Sequence, residues 1–429
     1  MGKRFFFTFL SPVILVALYI GYNQSAYFQW GWSQESRLLS EIRSLILSHH
    51  VESVDEDKLL EGALRGMVDV LDEHSAYLDP KSFHELHVQT RGKFAGLGIE
   101  ISIRDGILTV ITPISGTPAH RAGILAGDQI LEIDHEPTRG INLQQAVTRL
   151  RGAPQSPVQL KVKHRDDGSL ETFQIIRELI QISSVKRSKL IDPEHKIGYI
   201  ALIQFQEDSS RELKQAIEKL QKRGMKSLIL DLRNNPGGLL EESVFISSLF
   251  LDKCVVVETR GRGPDNPKFF FSRDDDTLSP FPLILLINEQ SASASEIVAG
   301  AIQDHRRGIL VGERSHGKGS VQGIHRLSDG KRGIKLTTAR YYTPSGRSIQ
   351  KTRTHRGGLA PDIPVPLDTK QQKAYLEHLR QQVILKDQAP KPPSREIDPQ
   401  LHKALDILRG QPPQSPISRP KTLPPEKTR

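Results

Sequence analysis

The spacing of apolar residues changes several times along the chain, and each change predicts a different kind of structure. An almost unbroken apolar run extends from Phe5 to Ile20. From about residue 33 to 91, leucines and isoleucines recur at the three- and four-residue spacing of amphipathic helices, and a loop is predicted to interrupt them at Asp72–Pro80. Between residues 92 and 178 the runs become short and strand-like, with two short helical stretches among them. The pattern therefore predicts an N-terminal helical region followed by a compact β-rich unit.

Strands and helices alternate between residues 180 and 367, which is typical of an α/β core. The segments 227–232 and 283–287 are almost entirely apolar, so each is predicted to be a strand buried on both faces of a sheet. Each is followed by a predicted helix, the first from 238 to 250 and the second from 294 to 303. A further strand of this core is predicted at Val255–Glu258, and a final hairpin is predicted with Asp329 and Gly330 at its turn.

The last part of the chain divides into a helical region and a tail. Residues 368–408 are predicted to be mainly helical. Residues 409–429 are rich in proline and poor in apolar side chains, which predicts disorder. The sequence as a whole thus predicts a multidomain α/β protein.

The N-terminal apolar run has the composition of a signal sequence or a membrane anchor. Lys3 and Arg4 precede it, as in the positive region of such segments. Cleavage after Ala26 would leave the large Gln24 at a position where signal peptidases require a small residue. We therefore expect residues 1–25 to be an uncleaved signal-anchor in the bacterial inner membrane, with the rest of the chain in the periplasm. If the segment is cleaved, the chain is expected to be free in the periplasm.

Composition excludes several classes of function. The chain has 59 basic and 50 acidic side chains, but they are interleaved, and aromatic residues make up only 6%. No basic cluster is combined with stacking aromatics, so nucleic acid is not an expected partner. Cys254 is the single cysteine, and His84 and His87 do not have the HExxH spacing. Neither a disulfide framework, a metal site nor a cofactor is expected.

The strongest local candidate for catalysis is the run Ser291-Ala292-Ser293-Ala294-Ser295-Glu296, between a buried strand and a helix. A serine at such a junction lies beside free backbone N–H groups at the positive end of the helix dipole. Those groups can stabilise an oxyanion. A serine at a helix start is equally compatible with a simple N-cap, so this segment alone does not decide between the two interpretations.

A nucleophilic serine needs a base, and no histidine lies in a recognisable triad context. The GxSxG motif is also absent. Lys318, between Gly317 and Gly319, is the remaining candidate, because burial lowers the pKa of an amine and lets it accept a proton. Residues 312–318 also match GxxxxGK, but Gly319 occupies the position of the Mg²⁺-binding Ser or Thr, which argues against a nucleotide site.

The segment from Arg233 to Gly238 follows another buried strand. Its paired glycines, Gly237 and Gly238, expose backbone N–H groups that suit an oxyanion hole. An ordinary turn from strand to helix has the same pattern, and both interpretations remain open at this point.

Taken together, these segments resemble the C-terminal processing (tail-specific) proteases, serine peptidases of family S41 with a PDZ domain. The matching segments follow one another in the family's order: Asp72–Pro80, Phe94–Ile99, Gly123–Asp128, Asp231–Gly238, Asn288–Glu296, Gln303-Asp304 and Gly317–Gln322. They extend from about residue 70 to 350. The resemblance implies a PDZ domain at 92–178 and a crotonase- or ClpP-like protease core at 180–367.

The resemblance also assigns roles to individual residues. It makes Ser293 the nucleophile, Lys318 the base, and Gln322 the residue that orients the lysine. It implies an oxyanion hole formed by backbone N–H groups of Ala294 and of Gly237 or Gly238, and a supporting role for Asp304. The residues implied in binding the substrate's tail are in the PDZ domain: Gly96, Leu97, Gly98, Ile99 and Arg151.

The expected function is that of a serine endopeptidase acting on exported proteins with apolar C-terminal tails. A non-proteolytic PDZ scaffold is the main alternative, and an acyl-CoA enzyme on a related α/β core is a weaker one. The sequence leaves open whether an adaptor protein delivers substrates and whether the chain forms a homo-oligomer.

Overall fold

A computed structural model describes residues 34–263, 266–273, 277–384 and 393–410 of the chain. The predicted anchor, residues 1–25, lies outside the described residues, and so do residues 411–429 of the predicted tail. None of the described helices is long and apolar enough to cross a bilayer.

The N-terminal region forms helices, as predicted. These are α1 (34–49), α2 (Glu56–Asp69) and α3 (Pro80–Arg91). Asp79 caps α3 by accepting a hydrogen bond from the Ser82 N–H at 2.8 Å, and Pro80 at the first helical position suits the cap.

The segment between α2 and α3 was predicted to be a loop, and this prediction is wrong in part. Residues Ala76–Leu78 form a short strand, β1, paired antiparallel with β18 (Gly333–Tyr342). The partner strand lies more than 250 residues further along the chain, so local sequence carries no sign of the pairing.

The β-rich unit consists of antiparallel strands around its own apolar core. Its main sheet has the strands β3 (Ile99–Arg104), β4 (Ile107–Pro113), β5 (Gln129–Ile133), β6 (Glu136–Pro137), β7 (Pro157–Lys163) and β8 (Leu170–Ile176). The predicted helices are present as α4 (Pro118–Arg121) and α5 (Leu143–Leu150). A separate pair, β2 (Lys93–Gly96) and β9 (Glu178–Gln181), joins the two ends of the unit.

The predicted α/β core is built on a six-stranded sheet. In spatial order its strands are β10 (Val185–Asp192), β11 (Ile197–Leu202), β12 (Ser227–Asp231), β15 (Leu283–Ile287), β16 (Ile309–Gly312) and β19 (Ile363–Pro364). All neighbours are parallel except β10, which runs antiparallel to β11. Every residue of β11, β12 and β15 is buried, as continuous apolar strands predict.

Helices cover both faces of this sheet. One face packs against α6 (Ser209–Lys222), α7 (Leu240–Ser248) and α8 (Ala294–Asp304). The other face is covered by α10 (Pro399–Gly410), which the local pattern did not single out as a separate helix. The helix α9 (Thr369–Ile384) lies between the core and α10 in sequence.

A second sheet borders the core, so not every strand predicted between residues 180 and 367 belongs to the six-stranded sheet. Its strands are β1, β18, β13 (Val255–Gly261), β14 (Lys268–Phe271) and β17 (Ser320–Arg326). The segment of β13 was predicted as a strand of the α/β core, but it pairs antiparallel with β14 and β18 instead. The predicted hairpin with Asp329 and Gly330 in its turn is confirmed as β17–β18.

Candidate active site

Three loops that carry the candidate residues leave the same edge of the six-stranded sheet. β12, β15 and β16 are parallel neighbours, and the carboxyl ends of parallel strands open at one edge. The loops 232–239, 288–293 and 313–319 therefore meet there, beside a cleft of about 530 Å³. The cleft is lined by the following predicted site residues: Gly237, Gly238, Ser293, Ala294, Lys318 and Gln322.

Ser293 occupies the N-cap position of α8 but does not have the backbone of an ordinary cap. An N-cap residue usually has extended backbone angles. Ser293 instead has φ 54° and ψ −114°. A positive φ is costly for a residue with a side chain and is found mainly where function requires it. The N-cap interpretation alone does not account for this strain.

The carboxylate of Glu296 holds the serine segment and the lysine segment together. Its Oε2 accepts hydrogen bonds from the backbone N–H groups of Ser293 and Lys318, each at 2.9 Å. Its Oε1 accepts from Ser315 Oγ at 2.6 Å and from the Gly317 N–H at 2.7 Å. Glu296 is 0% exposed, and this burial raises the pKa of its carboxyl while the four hydrogen bonds oppose the rise.

Tyr341 makes a second connection between the same two segments. Its buried hydroxyl donates to the carbonyl oxygen of Ser293 at 3.1 Å and also to that of Lys318. The main chains on either side of the cleft are therefore fixed to one carboxylate and one phenol.

The side chain of Lys318 is half-buried in the cleft. Burial lowers the pKa of its amine, and the positive charge of Lys335 lowers it further, while the carboxylate of Glu296 opposes the shift. Lys335 lies on β18 and lines the same cleft. The lowered pKa favours the neutral amine, which is the form that can act as a base.

The glycine loop lies directly against the serine. Gly237 has φ 96°, and a Cβ built on it would lie 2.6 Å from the Ala292 carbonyl oxygen and 2.9 Å from Ser293 Cβ. The N–H of Gly237 donates to Asn235 Oδ1 at 2.9 Å. Gly238 has φ 147° and lies so close to Phe205 that any Cβ would overlap its carbonyl. The predicted start of a helix at residue 238 is therefore wrong, and α7 begins at Leu240.

Comparison with known proteins places this site in a family. Residues 196–365 match the family model described as Peptidase family S41, residues 85–163 match the PDZ domain, and residues 23–82 match the Activating protease CtpB N-terminal domain. A carboxy-terminal-processing protease of Bartonella bacilliformis is 39% identical over 389 residues, which cover 86% of this chain and 87% of that one. The chain belongs to peptidase family S41.

Two further proteins are similar over most of the chain. The carboxy-terminal processing protease CtpA of Bacillus subtilis is 32% identical over 384 residues, 87% of this chain and 79% of the relative. The solved structure of a photosystem II D1 C-terminal processing protease is 30% identical, with a TM-score of 0.45, and covers 82% of this chain and 92% of that one.

The predicted fold class is confirmed in this S41 peptidase. It is a multidomain α/β protein with N-terminal helices, a PDZ domain and an S41 protease core. The activity is that of a serine peptidase of the carboxy-terminal-processing type.

The PDZ domain gathers its predicted tail-binding residues around one small groove of about 80 Å³. Gly96, Leu97, Gly98, Ile99 and Arg151 all line it, and the guanidinium of Arg151 lies 4.8 Å from the centre of the Phe94 ring. Gly98 has φ 73°, and a Cβ there would overlap the Thr117 side chain. The loop therefore requires glycine at this position.

Two of the other predicted residues also have recorded contacts. The amide nitrogen of Gln322 donates to Ser320 Oγ at 2.9 Å, and the residue lines the cleft together with Lys318. Its role in orienting the lysine stays a prediction. Asp304 lies at the far end of α8 from Ser293, where it accepts from the Ser345 N–H at 2.9 Å and pairs with Arg347. These contacts hold the turn after β18, away from the cleft.

Sequence reasoning did not assign a role to Glu296. The signal was present, because a Glu three residues after a serine at a helix start is the pattern of a capping box. That pattern explains its bond to the Ser293 N–H, but its bonds to residues 315–318 depend on β15 and β16 being neighbours.

We expect Glu296→Gln to reduce both stability and turnover. An amide NH₂ in place of either oxygen leaves two of the four buried donors without an acceptor, at a cost of about 1–3 kcal/mol each. Urea denaturation and kcat measurement check this. Glu289→Gln, the same change at an exposed position of the preceding loop, is the control. Wild-type stability and turnover in Glu296→Gln would contradict the role given to this carboxylate.

Proposed function

We propose that this S41 peptidase cleaves exported proteins that it recognises by their C-terminal tails, with Ser293 as nucleophile and Lys318 as general base. The observation that carries the proposal is that the segments of Ser293 and Lys318 are held next to each other. One buried carboxylate binds the backbone of both residues, and both line one cleft. A serine and a lysine form a known variant of the serine protease arrangement.

The chemistry follows from these positions. Neutral Lys318 takes the proton of Ser293 Oγ, and the oxygen attacks the scissile carbonyl carbon. The protonated amine then gives its proton to the leaving amine as the peptide bond breaks. Lys318 then takes a proton from a water molecule, whose oxygen attacks the carbonyl carbon of the ester. The ester bond breaks, and Lys318 gives the proton to Ser293 Oγ.

The tetrahedral intermediate needs donors for its oxyanion, and the backbone favours two of them. The N–H of Ala294 is the first of the free N–H groups of α8. The N–H of Gly237 is already bonded to Asn235, so we assign the second donor to Gly238. Donors fixed before the reaction stabilise developing charge without reorganising.

The setting of the enzyme is also part of the proposal. Residues 1–25 would anchor the chain in the bacterial inner membrane, with the protease core in the periplasm. Substrates would be exported proteins with apolar tails, bound as an added strand in the PDZ groove. Delivery by an adaptor and assembly into a homo-oligomer are compatible with this setting.

A direct experiment separates the protease from a scaffold. Purified protein is incubated with a peptide that has an apolar tail and a free C-terminus, and the products are identified by mass spectrometry. A serine-reactive fluorophosphonate is used in parallel, and the labelled residue is mapped. Cleavage together with labelling of Ser293 supports the proposal, whereas binding of an intact peptide without labelling would establish the non-proteolytic scaffold.

We expect recognition of the tail to depend on its terminal carboxylate. The Gly96–Ile99 loop offers backbone donors to such a group, and hydrogen bonds to charged groups are worth about 1.5–3 kcal/mol. Amidation of the peptide's C-terminus should therefore lower kcat/KM by roughly ten- to a hundredfold. The control is the same peptide with a free carboxylate. Equal rates for the two peptides would show that the PDZ domain does not read the chain end.

A further inference from the structure

The C-terminal segment 393–410 is attached to the core by buried polar groups as well as by apolar packing. The apolar face of α10 covers the sheet with four buried residues, Leu401, Ala404, Leu405 and Leu408. Immediately before and within the first turn of α10, Asp398 is 2% exposed and Gln400 is 0% exposed. Both polar side chains are directed at one partner on the core, Arg233.

Arg233 uses all of its donors in this arrangement. The guanidinium has five N–H groups. Its Nε and Nη2 bind Asp231, its Nη1 and Nη2 bind the two oxygens of Asp398 at 2.7 and 2.9 Å, and its Nη1 also binds Gln400 Oε1 at 3.0 Å. The side chain is 1% exposed, and the ring of Tyr375 in α9 lies 4.6 Å from it. The C-terminal segment therefore supplies three of the five oxygen atoms that accept hydrogen bonds from this fully buried cation.

The residues that follow Arg233 form the wall of the catalytic cleft. The amide groups of Asn234 and Asn288 connect the glycine loop to the serine loop: Asn234 N–H donates to Asn288 Oδ1, and Asn288 Nδ2 donates to Asn234 Oδ1, each at 2.9 Å. The carbonyl oxygen of Asn235 accepts from the Ala292 N–H at 3.0 Å and from Ser295 Oγ at 2.9 Å. A shift at Arg233 would therefore reach both loops beside Ser293.

We propose that Asp398 is a positioning residue of the active site, which through Arg233 holds the loop 234–238 in its catalytic conformation. The residues at the start of the C-terminal segment then position the catalytic loop, while the rest of α10 covers the sheet. The catalytic part of this inference rests on the proposed function, and the structural part does not.

The charges explain why Asp398 acts on this loop. Two carboxylates, Asp231 and Asp398, surround one guanidinium. Asp231 also accepts a hydrogen bond from the Tyr199 hydroxyl, and Asp398 accepts one from the Leu401 N–H. Asparagine at position 398 has an NH₂ donor in place of one acceptor oxygen, so a buried N–H of Arg233 loses its acceptor and the arginine has to find a new position. We expect the loop 234–238 to move with the arginine, because the preceding strand β12 is held on both sides by parallel strands.

The test compares Asp398→Asn with a matched variant of the same helix. Arg409→Gln removes another polar attachment of α10 to the core, the bond from Arg409 Nε to Asp192 Oδ2 at 2.7 Å, without touching Arg233. Amide hydrogen exchange is followed by mass spectrometry in peptides that cover residues 234–238 and 288–292. Hydrolysis of the free-tail peptide is measured at a temperature where both variants are folded.

We expect Asp398→Asn to accelerate exchange in both loops and to lower kcat by roughly ten- to a hundredfold, since small displacements of catalytic groups cost that much. KM should stay near its wild-type value because the PDZ groove is unaffected. Arg409→Gln should keep wild-type kcat and loop exchange, and Asp398→Glu should recover part of the lost kcat. Equal kcat and equal exchange in Asp398→Asn and the wild type would overturn the proposal.

The outcomes separate the two proposals. If the wild type does not hydrolyse the peptide but Asp398→Asn still alters exchange in the loops, the proposed function fails and the coupling stands. If hydrolysis is normal and Asp398→Asn loses no more kcat than Arg409→Gln, the coupling fails alone. Should Asp398→Asn not fold, Gln400→Ala, which removes one of the acceptors of Arg233, is measured in the same two assays and decides.

Discussion

Replacing Ser293 with alanine is expected to abolish peptide hydrolysis while leaving the fold intact. The hydroxyl is the only group of Ser293 that the variant loses, and the backbone contacts with Glu296 and Tyr341 remain. In serine proteases with an intact remaining site, loss of the nucleophile lowers kcat by about 10⁶. A continuous assay with the free-tail peptide measures the loss, and circular dichroism compares the folds.

The neighbouring serines provide matched controls for this substitution. The hydroxyl of Ser291 donates to the Leu232 carbonyl at 2.8 Å, and that of Ser295 donates to the Asn235 carbonyl at 2.9 Å. Both are buried hydrogen bonds of the fold, so Ser291→Ala and Ser295→Ala should lower stability yet keep measurable hydrolysis. If Ser293→Ala retained turnover and one of these variants lost it, the nucleophile would be assigned to the wrong serine of the run.

The strands and helices that lie in continuous apolar runs could be predicted from local sequence. β12 and β15 are examples, because a strand buried on both faces has no polar positions to obscure it. β1 could not be predicted in this way, since its three residues become a strand only by pairing with β18. β13 was predicted as a strand but given to the wrong sheet, because apolar spacing indicates burial and not the partner.

The candidate site shows the same division between local and long-range information. The serine, lysine and glycine segments each have a local pattern, and the parallel order of their strands explains why they meet. The contacts of Arg233 with Asp398 join residues that are 165 positions apart in sequence. The choice between Gly237 and Gly238 likewise depends on a hydrogen bond to Asn235 that only the folded loop reveals.

Replacing Lys318 with methionine is expected to lower kcat by about 10³- to 10⁶-fold, because the serine then has no base. Methionine fills similar space, so the half-buried position stays occupied. The Glu296 carboxylate keeps its bond to the backbone N–H of residue 318. If Lys318→Met turned over peptide at the wild-type rate, a lysine base would be excluded.

The pH dependence of the wild type gives an independent test of the same base. Only the neutral amine accepts a proton, so kcat/KM should rise with pH and reach half its maximum at the pKa of Lys318. Burial and the charge of Lys335 hold that pKa below its ordinary value, so the rise should come at lower pH than for a solvated lysine.

Lys335→Met removes the neighbouring positive charge and should move the rise to higher pH. Lys331→Met, at an exposed position in the β17–β18 turn, should leave the profile where it was. A fall in kcat/KM as pH increases through neutrality, or equal profiles for Lys335→Met and the wild type, would contradict this account of the base.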